Sequence, residues 1–305
     1  MILLLGHILD KVSDFFRILL ISLPMDFFVD FSRHPQKIGS FFTLKSEIQL
    51  ISKLSNDPHS MVYCVPGPLK KLNEDFTSIM SDDVNRVKIV YVAESQTIYR
   101  NKYPDNILNE LNDYTYFSTA RLRYLFKTFG VAPSLNWGTE TNLVADLFVS
   151  NLNYKYFTFH ISEPFSFQDS KEYFDGWNVF LKKLRCITNL PFIFVGNFNL
   201  LKDIDSFQDM YFLNDLGYSL QQQARVISQG KFFIGTASGM CTPAMLGKIP
   251  YVIFKHPKYH ELEMGKELIE SRLPWATKNQ SFKLTSISSE ILDTYLNELV
   301  MYEKT

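Results

Sequence analysis

The sequence predicts an α/β protein made of two consecutive halves, and three observations carry that reading. Short, continuous apolar runs alternate with helix-length segments after residue 25, as strands covered on both faces and separated by helices should read. A long, mostly helical and irregular stretch, Tyr99 to Asn153, breaks the alternation and contains Gly130, Pro133 and Gly138. The first residues read as an amphipathic helix standing outside the alternation. The expected division is an N-terminal α/β half, 1–150, and a C-terminal α/β half, 151–305, with a final helix able to return to the first half.

In the leading segment, Leu5, Ile8, Leu9, Val12, Phe15, Phe16, Leu19 and Leu20 share one helical side, while Asp10, Asp14 and Arg17 fall mostly opposite. No basic residue precedes the apolar run and no small-residue cleavage site follows, so it does not read as a secretory signal. It is too short and too charged to span a bilayer. Such a helix is expected to pack on the protein body or in a homodimer, with peripheral contact at a membrane as the alternative.

Seven strands are expected: Met25 to Phe31, Met61 to Val65, Val87 to Val92, Tyr156 to His160, Phe192 to Val195, Phe232 to Ile234 and Tyr251 to Phe254. Most are continuous and apolar, as strands covered on both faces of a parallel sheet should be. The segments between them keep helical spacing at Leu44 to Leu54, Tyr116 to Phe129, Tyr173 to Thr188, Leu220 to Gln229, Thr242 to Leu246, Glu261 to Ser271 and Glu290 to Tyr302.

Composition bounds the function. With 31 Lys+Arg against 32 Asp+Glu and a net charge of −1, the chain lacks the basic excess by which nucleic-acid proteins neutralise phosphates, so no nucleic-acid partner is expected. Hydrophobic residues make up 46% and charged residues 21%, which describes a folded chain. Cys64, Cys186 and Cys241 lie far apart, outside the paired spacings of a zinc site or a disulfide framework. A reducing, cytoplasmic setting follows.

The most informative segment runs from Phe232 to Phe254. Phe232, Phe233 and Ile234 form a strand, and Gly235, Thr236, Ala237, Ser238 and Gly239 after it are all small. A loop without bulk leaves its amides open, and Thr242-Pro243 then starts a helix. Loop amides, hydroxyls and a helix N-terminus together suit a phosphate or diphosphate. Gly247-Lys248-Ile249-Pro250 turns into the next strand. Two upstream strands end in matching fashion, one at His160, Ile161, Ser162 and Glu163, the other at Gly196 and Asn197. Polar or small groups thus end three strands at the edge where such sheets bind ligands.

This succession, from residue 155 to 256, resembles the donor-binding half of GT-B glycosyltransferases, closest to heptosyltransferase-like and fucosyltransferase-like bacterial enzymes of surface polysaccharide synthesis. The resemblance implies two Rossmann-like domains facing a crevice. It also implies a nucleotide-sugar donor and a glycan or lipid-linked acceptor, and it sets the work in the cytoplasm or at the inner face of the membrane. Thr236, Ala237, Ser238, Gly239 and Met240 would hold the donor diphosphate, with Gly196 and Asn197 approaching the same ligand. Tyr218 would lie near the base or serve in packing. His160 and Glu163 would stand at the mouth of the crevice, and Lys255 would add positive charge. In the first half, Gly39 and Ser40 would border the donor, while Asp30, His34 or Glu94 would take the acceptor proton.

Metal chemistry has little support. Asp203-Ile-Asp205 is the one Asp-x-Asp and reads as a solvated turn, and Asp82-Asp83 reads as a turn before a strand. No metal and no cofactor beyond the nucleotide-sugar co-substrate are expected, because loop amides and a helix dipole can stabilise a leaving diphosphate. The pattern departs from the resembled one at Ser162, where an arginine often stands, and at Ala237 and Thr242, in place of an acidic residue and a histidine. A nucleotide-sugar epimerase or hydrolase of the same fold, or a non-catalytic partner in glycan assembly, therefore stays open beside the transferase.

Overall fold

The computed structural model describes residues 27–30, 37–55, 60–82, 87–91, 119–164, 168–197, 209–258 and 268–303. The leading helix, His34, Glu94, the Asp203-Ile-Asp205 pair and most of the expected helix from Glu261 lie outside the described residues, and Asp30 is described in its backbone alone. The chain divides after Gly138 into two units. The division falls inside the irregular stretch, ahead of residue 150, because Thr139 already opens a helix of the second unit.

The first unit carries a three-stranded parallel sheet in sequence order, β1 (Phe27–Asp30), β2 (Ser60–Val65) and β3 (Val87–Tyr91), with Phe27 opposite Val62 and Cys64 opposite Tyr91. Helix α1 (Ile38–Ser55) follows β1 and α2 (Lys70–Ser81) follows β2. Helix α3 (Ala120–Phe129) comes later. Every residue of α1 from 41 to 52 is buried, including Lys45, Glu47 and Gln49, so polar partners must be found inside. The Lys45 Nζ donates to the carbonyls of Ile79 (2.8 Å) and Asp82 and lies 5.0 Å from the Trp137 ring. A cation there suits the negative end of α2. Gln49 exchanges two hydrogen bonds with the backbone of Asn136, and Asp82 Oδ1 accepts from the Gly138 amide at 2.8 Å.

The second unit begins with α4 (Thr139–Asn151) and holds a six-stranded parallel sheet. Its strands are β4 (Phe157–His160), β5 (Phe192–Phe194), β6 (Met210–Phe212), β7 (Phe232–Thr236), β8 (Tyr251–Lys255) and β9 (Gln280–Leu284), side by side in the order β6-β5-β4-β7-β8-β9. This is the doubly wound order of a Rossmann sheet, and its direction reverses between β4 and β7. Helix α5 (Ser170–Ile187) links β4 to β5, α6 (Leu220–Ile227) precedes β7, and the short α7 (Thr242–Met245) follows it. Helix α4 belongs here because Asp146 accepts from Arg225 Nε (3.1 Å) and Gln229 Nε2 (2.7 Å) at the end of α6.

The core is aromatic, as the composition requires. Phe157, Phe159, Phe192, Phe194, Phe232 and Phe254 point from the sheet toward Tyr173, Trp177 and Phe180 of α5. The expected last helix is two, α8 (Ser289–Asp293) and α9 (Leu296–Glu303), broken at Thr294 and Tyr295. Leu292 and Leu299 enter this same core, so the C-terminal segment closes the second unit. Strands β6 and β9, absent from the expected seven, stand at the two edges of the sheet. Residues 268–271, expected as the end of a helix, belong instead to a tight turn bridged between Ile269 and Arg272.

Candidate functional site

Crossovers in this sheet leave a gap above the carboxyl ends of β4 and β7, since the chain departs from them toward opposite edges. The residues that end β4, β5 and β7 meet there, and His160 is at their centre. It is the last residue of β4 and is only 5% exposed. Its Nδ1 lies 2.9 Å from the Val195 carbonyl after β5, and its Nε2 lies 2.5 Å from Ser238 Oγ after β7. A carbonyl only accepts, so Nδ1 carries the proton and donates; Nε2 then accepts from the Ser238 hydroxyl. One imidazole therefore ties three strand ends together.

Burial holds the His160 pKa below its ordinary value, against a smaller opposing effect of the Val195 carbonyl. The folded value lies below the unfolded one, so His160 contributes no pH slope well above about 6.5. As pH falls through that value, the unfolded chain takes up a proton that the folded chain refuses. Stability is then expected to decline by up to about 1.4 kcal/mol per pH unit from this group. Urea unfolding at about pH 7.5 and about pH 5.5 should show the decline, and His160→Gln should flatten it. An equal decline in the variant would place the dependence in another group.

Two glycines make room for the imidazole. A Cβ on Gly196, whose φ is +82°, would come within 2.8 Å of His160 Cε1, and one on Gly235 would come within 2.6 Å of the His160 carbonyl oxygen. Gln223, inside α6 and 1% exposed, accepts from the Gly196 amide and donates to the Tyr218 carbonyl, both at 2.8 Å. It fixes the end of β5 to the turn after β6. Thr236 Oγ1 accepts from the Ser162 amide at 2.9 Å and lies 2.7 Å from Ser162 Oγ. The Tyr173 hydroxyl donates to the Ser162 carbonyl at 2.8 Å, and burial pushes its pKa up to about 12. Cys241 Sγ donates to the Thr236 carbonyl at 3.0 Å, its thiol also pushed up to about 12 by burial.

The surface left for a ligand is consequently small and specific. Thr236 and Met240 are buried framework, whereas Ala237, Ser238 and Gly239 are half-buried and open upward. Ser238 Oγ accepts from the Met240 amide at 3.1 Å, capping a short 3₁₀ turn from Gly239 to Cys241. The amides of Ser238 and Gly239 have no hydrogen-bond acceptor among the described residues. Two uncommitted N–H groups at the start of a helical turn suit an anionic oxygen.

Of the residues expected at the site, His160, Gly196, Thr236, Ala237, Ser238, Gly239 and Met240 gather at this edge. His160 is not at a mouth: both ring nitrogens are spent inward, because a buried imidazole needs partners. Glu163 and Asn197 are exposed beside the cluster. Tyr218 packs at 5.2 Å on Phe148 of α4. Lys255 ends β8, is 5% exposed and lies 4.9 Å from the Phe282 ring. Gly39 and Ser40, read as loop, sit in the first turn of α1, where the Gly39 carbonyl accepts from Thr43 Oγ1 at 2.8 Å. Gln223 and Tyr173 were not anticipated, and Ser162 was placed at the strand end without its bond to Thr236. Their one signal in sequence is a polar group on an otherwise apolar helix face or beside a strand end. Among the described residues, no three His, Cys, Asp or Glu side chains converge as a metal site would require.

At the level of sequence, no protein-family model and no curated protein matches the chain. Solved structures do resemble it in fold. The Escherichia coli ADP-heptose LPS heptosyltransferase II superposes with a TM-score of 0.54 at 12% identity, over 92% of this chain and 100% of that one. A glycosyl transferase of family 9 from Veillonella parvula gives 0.52 at 12%, over 91% and 97%. The E. coli heptosyltransferase WaaC, held with ADP-2-deoxy-2-fluoro heptose, gives 0.50 at 10%, over 90% and 100%. The chain has the fold of these glycosyltransferases.

Proposed function

We propose that this protein is a glycosyltransferase that moves a sugar from a nucleotide-activated donor to a hydroxyl of a glycan or lipid-linked acceptor in surface polysaccharide synthesis, working in the cytoplasm or at the inner face of the membrane. The observation that carries the reading is the switch point between β4 and β7, where the uncommitted Ser238 and Gly239 amides stand over a rigid, three-strand brace. The fold shared with heptosyltransferases supports it, and the ligand of one neighbour makes an ADP-sugar the first donor to test.

In this reading the donor diphosphate lies on the two amides, and the 3₁₀ turn and α7 add their dipoles at the point where charge develops on the departing phosphate. The brace serves preorganisation: His160, Gln223 and Thr236 hold the strand ends before the ligand arrives, so little ordering cost falls on the reaction. No ionised side chain is needed at the loop itself. The acceptor proton is assigned to Asp30, His34 or Glu94 in the first half, with Glu163, exposed just past the end of β4, the further carboxylate candidate.

Thermal unfolding in the presence of ADP, UDP, GDP and CMP tests the donor site, since a ligand at 100 times its Kd adds about 2.7 kcal/mol. One nucleotide should raise the midpoint, and Ser238→Val should remove that rise, measured against an unliganded midpoint that is itself lowered because His160 Nε2 loses its partner. An undiminished rise in the variant sinks the assignment. A second reading, a nucleotide-binding partner without turnover, is favoured by Ser162: its amide and hydroxyl are committed to Thr236, whereas an arginine would reach the phosphates. Nucleotide binding without release of free nucleotide in any acceptor mixture would select it.

A further inference from the structure

The opposite edge of the second sheet, at the amino ends of its strands, has a chemistry of its own. Four adjacent strands, β4, β7, β8 and β9, are each preceded by a lysine: Lys155, Lys231, Lys248 and Lys278. Parallel strands sit about 4.8 Å apart, so the four side chains form a row roughly 14 Å long. Among the described residues none of the four ammonium groups has a hydrogen-bond or ion-pair partner. Asp209 precedes β6 at the far end of the sheet and faces Arg185. Asp146 is neutralised by Arg225. The row is therefore a local excess of positive charge on a chain whose net charge is −1.

Its setting is rigid and partly apolar. Lys231, Lys248 and Lys278 line an open hollow of about 610 Å³ with Met301 of α9. Gln280, 1% exposed, braces the floor by donating to the carbonyls of Gly247 (3.0 Å) and Ile249 (2.8 Å) while accepting from the Thr277 amide (2.8 Å). Met301 is 65% exposed and Tyr154, beside Lys155, is 48% exposed. Charge in a line with exposed apolar side chains beside it is the pattern of a surface that rests on anionic headgroups and dips shallowly into the interface.

We propose that this edge docks the protein on an anionic lipid surface, with Lys155, Lys231, Lys248 and Lys278 against the headgroup phosphates and Met301 and Tyr154 at the acyl boundary. The docking edge is the end of the sheet opposite the Ser238 loop, so it leaves the carboxyl ends of the strands uncovered. It does not depend on the reading of that loop as a donor site.

Cosedimentation of the full chain with vesicles of phosphatidylcholine alone, and with about one third phosphatidylglycerol, tests it. Binding should require the anionic lipid and fall as salt rises. A lysine near such a surface adds about fivefold in partitioning, so Lys248→Gln with Lys278→Gln should lower it about 25-fold. Removing the charge of Lys182, an exposed lysine of α5, should change it less than twofold. An unchanged thermal midpoint and unchanged nucleotide response in the double variant show that the fold and the donor loop are intact. Equal binding to neutral vesicles, equal loss with Lys182→Gln, retained binding in the double variant, or capture of a duplex oligonucleotide in preference to the vesicles each overturns the proposal.

Discussion

Replacing Trp177 with alanine is expected to cost the second unit about 3–5 kcal/mol, roughly a fifth or more of what a domain of this kind ordinarily has. Trp177 is fully buried in the middle of α5 and meets Phe180 and Phe254 edge-to-face at centroid distances of 5.9 and 6.2 Å. The same core receives Leu292 and Leu299 from α8 and α9. One helix turn therefore joins the sheet to the C-terminal segment, and the backbone there cannot collapse into the vacancy, because Gly176 already lies against Ser288 and Ser289. Urea unfolding should show a lower midpoint at an unchanged slope, and Trp177→Phe should restore part of the loss. A cost below about 1 kcal/mol would mean that the indole is not the packing centre.

Packing of this kind is what the sequence made legible. The strands of the second sheet that were anticipated are those buried on both faces, such as Phe232 to Ile234 and Tyr251 to Phe254, where every residue is apolar. Strand β9 reads Gln-Ser-Phe-Lys-Leu, an alternation that an edge strand permits and that a search for continuous apolar runs passes over. Helix α2 escaped, and α4 was legible only as part of a mostly helical stretch without bounds of its own, for a related reason. Their polar residues outnumber a clear stripe, and they follow Pro66-Gly67-Pro68 and Gly138, which mark a loop before they mark a helix start. In α1 the same glycine logic delayed the helix to Leu44, although Ile38 begins it and packing around residues 41 to 52 overrides the propensity cost of Gly39.

The site divides along the same line. The small-residue loop after β7 is visible because glycine, serine and threonine in succession have few other uses. Which polar groups turn inward is not visible, since hydrophobic periodicity reports only apolar positions. His160 and Gln223 are the cases that matter: each looks like a surface or ligand group in sequence, and each is spent on backbone atoms of a neighbouring strand end. The alternative, a buried imidazole or amide without partners, would cost about 1–3 kcal/mol apiece.

That brace makes its own prediction, through the two glycines beside it. Gly235→Ala is expected to lower stability by about 1–3 kcal/mol and to abolish the nucleotide response, because its Cβ would stand 2.6 Å from the His160 carbonyl oxygen. The two residues are paired in register, so the new atom can be accommodated only by parting β4 from β7 at the switch point itself. Gly196→Ala is expected to cost a similar amount for a different reason. Its backbone is left-handed, which charges about 1 kcal/mol to any L side chain, and its Cβ would meet the imidazole ring at 2.8 Å. A ring can be removed and a backbone carbonyl cannot. Adding His160→Ala should thus relieve much of the Gly196→Ala cost and none of the Gly235→Ala cost, a coupling that a double-mutant cycle measures by urea unfolding. Strict additivity at Gly196 would show that the imidazole does not fill the space between the strand ends, and the account of His160 as the tie among β4, β5 and β7 would fall with it.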